Sequence, residues 1–354
     1  MPIPTEPIGS VPRTAQLLAA MTLQTQGRID SEAFRTVAER AVAETIAAME
    51  ATGSPVVTDG EQSKPSFATY PLAGLDSLAP DGVVIPFSDG HTRQLPRLTK
   101  GPFRYGTYSG GYVEVAKRYA KKPVKQAVIS PSALSLLYPA NGIAGYARDR
   151  FLDDLTAESV KDIRSAFDAG AVSVQIDFTE GRLSVKLDPS RVLLRDFVGL
   201  INRVLANFSE SERSRIGVHT CPGGDQDCTH SADVDYGDLL PDLFKINVGS
   251  VFMQMASERD TPRIYKIVSG HRRPEQRVFV GVTDPIDPAV ETPEIVRDRV
   301  LEAASYLPVE YLGTTDDCGF SPFGDDVSTA RETAFAKIKA RIDGTRMAEK
   351  VLGI

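Results

Sequence analysis

Apolar positions along the chain fall into two alternating rhythms. Eight short runs, "PIGSV", "PVVTDGE", "KQAVIS", "AVSVQIDF", "RIGVHTC", "SVFMQMA", "VFVGVTD" and "VEYLGTTDD", are rich in β-branched residues and end in polar or glycine-containing turns. They read as strands. Between most of them the apolar spacing lengthens to the helical period. Phe34, Val37, Ala38, Ala41, Val42, Ile46 and Met49 make one stripe, with Asp30 placed to cap its start. "AESVKDIRSAFDA", "PSRVLLRDFVGLINRVLANF" and "TPEIVRDRVLEAASYL" repeat the pattern. Strand and helix alternating through eight strands predict an α/β chain folded as a (β/α)8 TIM barrel, residues 1–354 forming one domain. An open doubly wound sheet is the competing architecture, since periodicity does not establish closure. Leu72 to Tyr112 breaks the rhythm. There "APDGVVIPFSDGHTRQLPR" and "GPFRYGTYSGGY" combine alternation with turn dipeptides, which predicts an inserted hairpin or lid around residues 72–112.

Composition narrows the setting. Of 354 residues, 42% are hydrophobic and 25% charged, proportions that exclude wholesale disorder. A formal net charge of −7 offers no general attraction for nucleic acid or an anionic membrane. Partners are therefore expected among small molecules, and a homo-oligomer is compatible with the same composition. The opening "MPIPTEPIGSVPRT" lacks a basic stretch followed by an apolar run, and no segment approaches the roughly eighteen apolar residues of a membrane span. Cys221, Cys228 and Cys318 do not make a secreted disulfide framework. A cytoplasmic protein without a membrane anchor is the expectation.

In a barrel of this kind the loops at the carboxyl ends of the strands assemble the site. Those ends carry Ser10, Asp59, Glu61, Ser130, Asp177, His219, Cys221, Gln254, Asp284, and Cys318 behind Asp316 and Asp317. His219 and Cys221 are two apart, so an extended backbone puts both on one face. Cys318 ends a later strand that barrel closure brings toward the same cavity. One imidazole and two thiolates with an open fourth position make a recognised catalytic zinc arrangement. Singly, each has an ordinary reading as a small buried hydrophobe or a hydrogen-bonded structural histidine. Their joint occurrence at strand ends is what favours a metal. Cys228 and His230 compete as more local ligands, because "CPGGDQDC" could fold back around the same ion. A Cys221–Cys228 redox pair is disfavoured by its spacing and by a reducing compartment.

These strand ends resemble the catalytic barrel of the cobalamin-independent methionine synthase family and its single-domain relatives, over most of the chain. "PIGSVPRT" is similar to the family's opening strand and substrate-binding turn, "VVTDGEQSKPSF" to its DGE/SF segment, and "VQIDF" to its aspartate-ending fourth strand. "GVHTC" and "DDCG" are similar to its two zinc-binding segments. The resemblance implies Zn2+ held by His219, Cys221 and Cys318. It also implies a small thiol substrate, with Ser10 near its carboxylate, Glu61 and Asp177 near its ammonium group, and Asp59 in the same segment. The implied activity is zinc-dependent alkyl transfer to a thiol, most simply methyl transfer from a methylated folate to homocysteine, giving methionine. A neutral thiol is a poor nucleophile, and coordination makes it a thiolate near neutral pH.

Three departures from the family pattern shape the expectations. Gln254 stands near the place of a further zinc-ligating glutamate, so a neutral fourth donor or none is expected there. "DFTEGR" keeps Asp177 but has Phe178 where the family has a second acid. "VTDPIDP" replaces a histidine-containing segment, leaving Asp284 as a substitute acid for the leaving group, or else as the start of a proline-enforced turn. Epoxyalkane:coenzyme M transferases, which resemble this chain in length and in the HxC…C pattern, open an epoxide without such an acid and provide the alternative. A metal- or thiol-binding relative without turnover, and a decarboxylase of the uroporphyrinogen decarboxylase type, complete the alternatives.

Overall fold

Six of the eight apolar runs become neighbouring strands of one sheet in the computed structural model, which describes residues 2–354. They are β1 (Lys125–Ile129), β2 (Ser173–Asp177), β3 (Ile216–Thr220), β4 (Ser250–Met253), β5 (Arg277–Gly281) and β6 (Leu312–Thr315). Each pairs in parallel with the next. Every residue of β1 and of β3 is buried, as expected where helices cover one face and packed side chains the other. Parallel order places the carboxyl ends of all six strands at one rim.

The first two expected strands differ from expectation. Around "PIGSV" the only ladder contact is a parallel bridge from Thr5 to Thr314, and around "PVVTDGE" it is one from Val57 to Val124. Prolines 4, 7 and 12 supply no N–H to a ladder, so the opening segment cannot be bonded continuously, and in the second the backbone turns away at Gly60 and Glu61, both with positive φ. The two segments also meet each other: Val11 N donates to Gly60 O at 3.1 Å and Thr58 Oγ1 to Gly9 O at 2.8 Å.

The helices follow their apolar stripes. Asp30 caps the helix Ser31–Ala51 by accepting from Ala33 N at 2.8 Å, and that helix buries Ala38, Ala41, Val42, Ile46 and Met49. The "AESVKDIRSAFDA" segment is the later part of a longer helix, Arg148–Asp168. Val192–Leu205 and Pro293–Ala304 form as the periodicity predicts. The helix Arg331–Leu352 was not anticipated; its exposed face is densely charged, and Ala334, Ala340 and Ala348 are three of its five buried apolar residues, which weakens the stripe. One apolar cluster reaches from Ile3 to Ala348. No helix among the described residues is long and apolar enough to cross a membrane.

The expected insertion forms two short antiparallel pairs, Leu78–Ala79 with Arg97–Leu98 and Val84–Pro86 with Thr92–Gln94. Its end lies earlier than expected, because the helix Gly110–Tyr119 begins inside the 72–112 window. A second apolar cluster that includes Tyr70, Leu98, Phe103, Phe151 and Leu155 anchors it to the body.

Candidate metal and thiol site

Parallel register brings the chemistry together. Asp177 and His219 are paired residues at the ends of β2 and β3, while Cys221 lies just beyond β3 and Cys318 just beyond β6. One donor atom from each of His219, Cys221 and Cys318 lies within 4.8 Å of the others, and the two sulfurs are 3.1 Å apart. His219 is 1% exposed, yet neither ring nitrogen has a hydrogen-bond partner. A buried imidazole without partners carries a desolvation cost that a metal ion would offset. Nitrogen with two soft sulfurs is a donor set that suits zinc, so the residues present fit the ion. Cys228 and His230 lie apart from this trio. Cys228 sits in a two-residue strand, Cys228–Thr229, paired with Gly224–Asp225. His230 Nδ1 contacts the Ser231 hydroxyl, and its ring packs against Phe87 and the backbone of Gly223.

Neighbouring acids set the position of Cys318. Asp317 accepts from the backbone N–H groups of Met255, Ala256 and Ser257, each at 2.8 Å. Asp316 accepts from Thr283 and pairs with the buried guanidinium of Arg341. The loop bearing Cys318 is thereby fastened to the turn after β4 and to the last helix.

A cavity of about 530 Å3 opens beside His219 and Cys318, and Ser10, Glu61, Asp177 and Glu180 also face it. Glu61 has φ of +55° directly after Gly60 at +65°, an arrangement a side chain adopts at a cost. Asp59 braces it by accepting from Glu61 N at 3.0 Å. A Cβ at position 60 would come within 2.5 Å of the Thr45 side chain, so the close approach requires glycine. Lys64, to which the sequence reading gave no role, donates to Glu61 Oε1 at 2.9 Å and to Ala127 O at 3.0 Å, both partners fully buried. Burial raises the Glu61 carboxyl above its ordinary range, with Lys64 opposing. Burial likewise raises Asp177, with His219 opposing, and Gln175 donates to Asp177 Oδ1 at 2.7 Å. Ser10 lies against the loop after β6, accepting from Ser321 N at 3.3 Å through its hydroxyl.

Gln254, Asp284 and Asp59 are among the sequence candidates that stand apart from the cavity wall. Gln254 has both ends of its amide engaged, the oxygen by Arg182 at 2.8 Å and the nitrogen by Ser257 at 2.7 Å, so a fourth-donor role would require it to break these bonds. Asp284, expected as a substitute acid, accepts from Ile286 N at 3.0 Å and so initiates the turn that Pro285 enforces. Asp59 braces Glu61 from behind, leaving Oδ2 without a partner.

The inserted hairpin covers the mouth. Arg93 pairs with Asp225 from the loop after β3 and with Asp325 from the loop after β6, and its guanidinium stacks 4.2 Å from the Phe323 ring centroid. The sequence signals for this clamp were faint, since one arginine and two aspartates more than a hundred residues apart form no motif.

Comparison with known proteins places the chain in a family. The family model for the cobalamin-independent synthase catalytic domain matches residues 3–331. Bacillus subtilis "Uncharacterized protein YxjH" is 22% identical over 360 residues, covering 97% of this chain and 93% of that one. A methionine synthase of Thermococcus kodakarensis is 21% identical over 353 residues, covering 99% and 94%. The solved structure of a B12-independent methionine synthase from Shewanella sp. W3-18-1, in complex with selenomethionine, superposes with a TM-score of 0.79 at 18% identity, covering 100% of both chains. With the strand ends placed as they are and the family model spanning nearly all of it, the chain belongs to the cobalamin-independent synthase catalytic-domain family.

Proposed function

We propose that this protein is a zinc-dependent thiol methyltransferase that transfers a methyl group from a methylated folate to homocysteine, giving methionine. The observation that carries the reading is the meeting of His219, Cys221 and Cys318 at one rim, with both nitrogens of a buried imidazole unpartnered. Relatives named methionine synthase support the acceptor and the reaction type. The fold reading beneath it is a single domain, residues 1–354, in which the Thr5 and Val57 segments close an eight-stranded barrel; their bridges to opposite edges of the sheet support it.

Zinc, when bound by His219, Cys221 and Cys318, supplies the positive charge that makes the substrate thiol a thiolate near neutral pH. The remaining work belongs to the chain. Asp177, unpaired with any lysine or arginine within salt-bridge range among the described residues, is placed to accept from the substrate ammonium group. Glu61 shares that task with its charge partly offset by Lys64, and the Ser10 hydroxyl is placed for the carboxylate. The hairpin held by Arg93 limits water at the reacting carbon.

The test is metal analysis joined to a product screen. About one zinc per chain is expected in the purified protein. Cys221→Ser and Cys318→Ser should lose both zinc and methyl transfer, and Cys228→Ser should keep both. Homocysteine and coenzyme M are offered as acceptors, against methylated folates, methylcobalamin and small epoxides, and products are read by mass spectrometry. Methionine formed from the folate supports the reading. A coenzyme M thioether formed from an epoxide, or zinc and thiol binding without any product, overturns it.

A further inference from the structure

Four carboxyl side chains face the cavity: Glu61, Asp177, Glu180 and Asp325. Three of them have a charged or amide partner. Glu61 faces Lys64 at 2.9 Å, Asp325 faces Arg93 at 2.9 Å, and Asp177 accepts from Gln175 at 2.7 Å. Glu180, 4% exposed at the start of the helix Glu180–Leu187, faces only hydroxyls. Both hydroxyls, from Ser130 and Ser132, donate to the same oxygen, Oε1. Oε2 has no hydrogen-bond partner. That asymmetry fits a carboxylic acid, whose carbonyl oxygen would accept twice and whose buried second oxygen would carry the proton. Ser130 follows β1 and also caps the short helix Pro131–Ser135 by accepting from Ala133 N at 3.0 Å, so the Oε1 contact is rigidly placed.

Methyl transfer from a tertiary amine leaves a nitrogen that must gain a proton. Asp284 does not line the cavity. His230 also faces the cavity, but burial pushes its imidazole down from 6.5 to about 4, which keeps it neutral at working pH. Resting on the methyl-transfer reading above, we propose that Glu180 is the acid that protonates the leaving nitrogen of the methyl donor. The thiolate lone pair forms the new carbon–sulfur bond as the carbon–nitrogen bond breaks toward nitrogen. The proton passes from Glu180 Oε2 to that nitrogen, and the negative charge moves from sulfur to the carboxylate. Solvent reprotonates Glu180 once the product leaves.

The electrostatics agree with this role. Burial pushes the Glu180 carboxyl from 4.5 up to about 7, with the serine hydroxyls opposing and Asp177 reinforcing. Around the same cavity Glu61, Asp177 and Asp325 contribute negative charge, Arg93 positive charge, and His219 and His230 imidazoles. Because the group is raised, its acid form predominates below about 7 and is lost above it, so the expected rate limb falls on the alkaline side.

Glu180→Gln keeps the shape and an oxygen for both serines but has no proton to give. With 5-methyltetrahydrofolate and homocysteine, kcat/KM should fall by roughly 10²–10⁴-fold, zinc content should stay unchanged, and the alkaline limb of the pH profile should disappear. Glu180→Asp, which keeps an acid, should recover part of the rate and the limb. A pH-difference infrared spectrum of the wild-type protein should contain a protonated-carboxyl band that Glu180→Gln lacks, and this readout does not depend on turnover. The proposal is overturned by full activity in Glu180→Gln, by equal impairment of both variants with the limb retained, or by a missing infrared band. Wild-type protein that makes no methionine from any folate sinks the methyl-transfer reading itself, a failure distinct from the others.

Discussion

Lys64 shows how much one side chain can decide. Its ammonium group is fully buried between Glu61 and the Ala127 carbonyl and lies 4.6 Å from the centroid of the Tyr70 ring. Burial disfavours its charge, but Glu61 and Asp59 outweigh that and raise it above its ordinary value. A buried pair contributes little net stability, whereas removing one partner strands the other. Lys64→Met should therefore lower unfolding stability by about 3–5 kcal/mol, measured by urea denaturation, and Lys64→Met with Glu61→Gln should recover much of the loss. Additive effects of the two substitutions would show that the pair does not act as a unit. The sequence displayed Glu61 because "DGE" ends a strand. Lys64 was hidden because a lysine three residues on is usually solvated, and only the folded chain shows it enclosed.

Among the elements, the hairpin of Val84–Pro86 and Thr92–Gln94 has little apolar support, with Val83 and Val84 exposed. Its attachment is ionic: Arg93 reaches loops that follow β3 and β6, the strands that precede the sulfur donors. Ser88 N adds a bond to Thr229 O at 3.0 Å, and Phe87 packs edge-on against His230. Asp225 is completely enclosed, so Arg93→Ala leaves a buried carboxylate with only His91 beside it. The expected outcome is faster proteolysis within residues 82–92 and a loss of about 1–3 kcal/mol, with zinc content unchanged. Loss of zinc in this variant would mean that the clamp also holds the metal loops in place. The alternation of residues 83–94 made a hairpin legible in the sequence, but its docking was not, because ion pairs across more than a hundred residues leave no periodic trace.

Across the whole molecule, the last helix ties the rim to the opposite end. Arg341 inside Arg331–Leu352 is fully buried, paired with Asp316 and donating to Glu6 O at 2.8 Å, while Thr345 meets Thr314 at 2.8 Å. One guanidinium thus joins the opening segment, the end of β6 and the final helix. Arg341→Met should strand Asp316 and lower stability by about 3–5 kcal/mol. Thermal unfolding would register the loss, and unchanged melting would show that the junction relaxes without it.

The sequence by itself determined the rhythm of strands and helices, since periods near two and 3.6 residues follow from local geometry. It also determined which residue types stand at strand ends, and so pointed to His219, Cys221 and Cys318. Tertiary structure alone decided that the first two runs reduce to single bridges, because edge contacts depend on distant partners. It decided that the Gln254 amide is bonded at both ends by neighbours, that Asp284 does not line the cavity, and that Glu180 faces the cavity without a cation. Burial and pairing are properties of three-dimensional neighbours, which one-dimensional spacing does not contain.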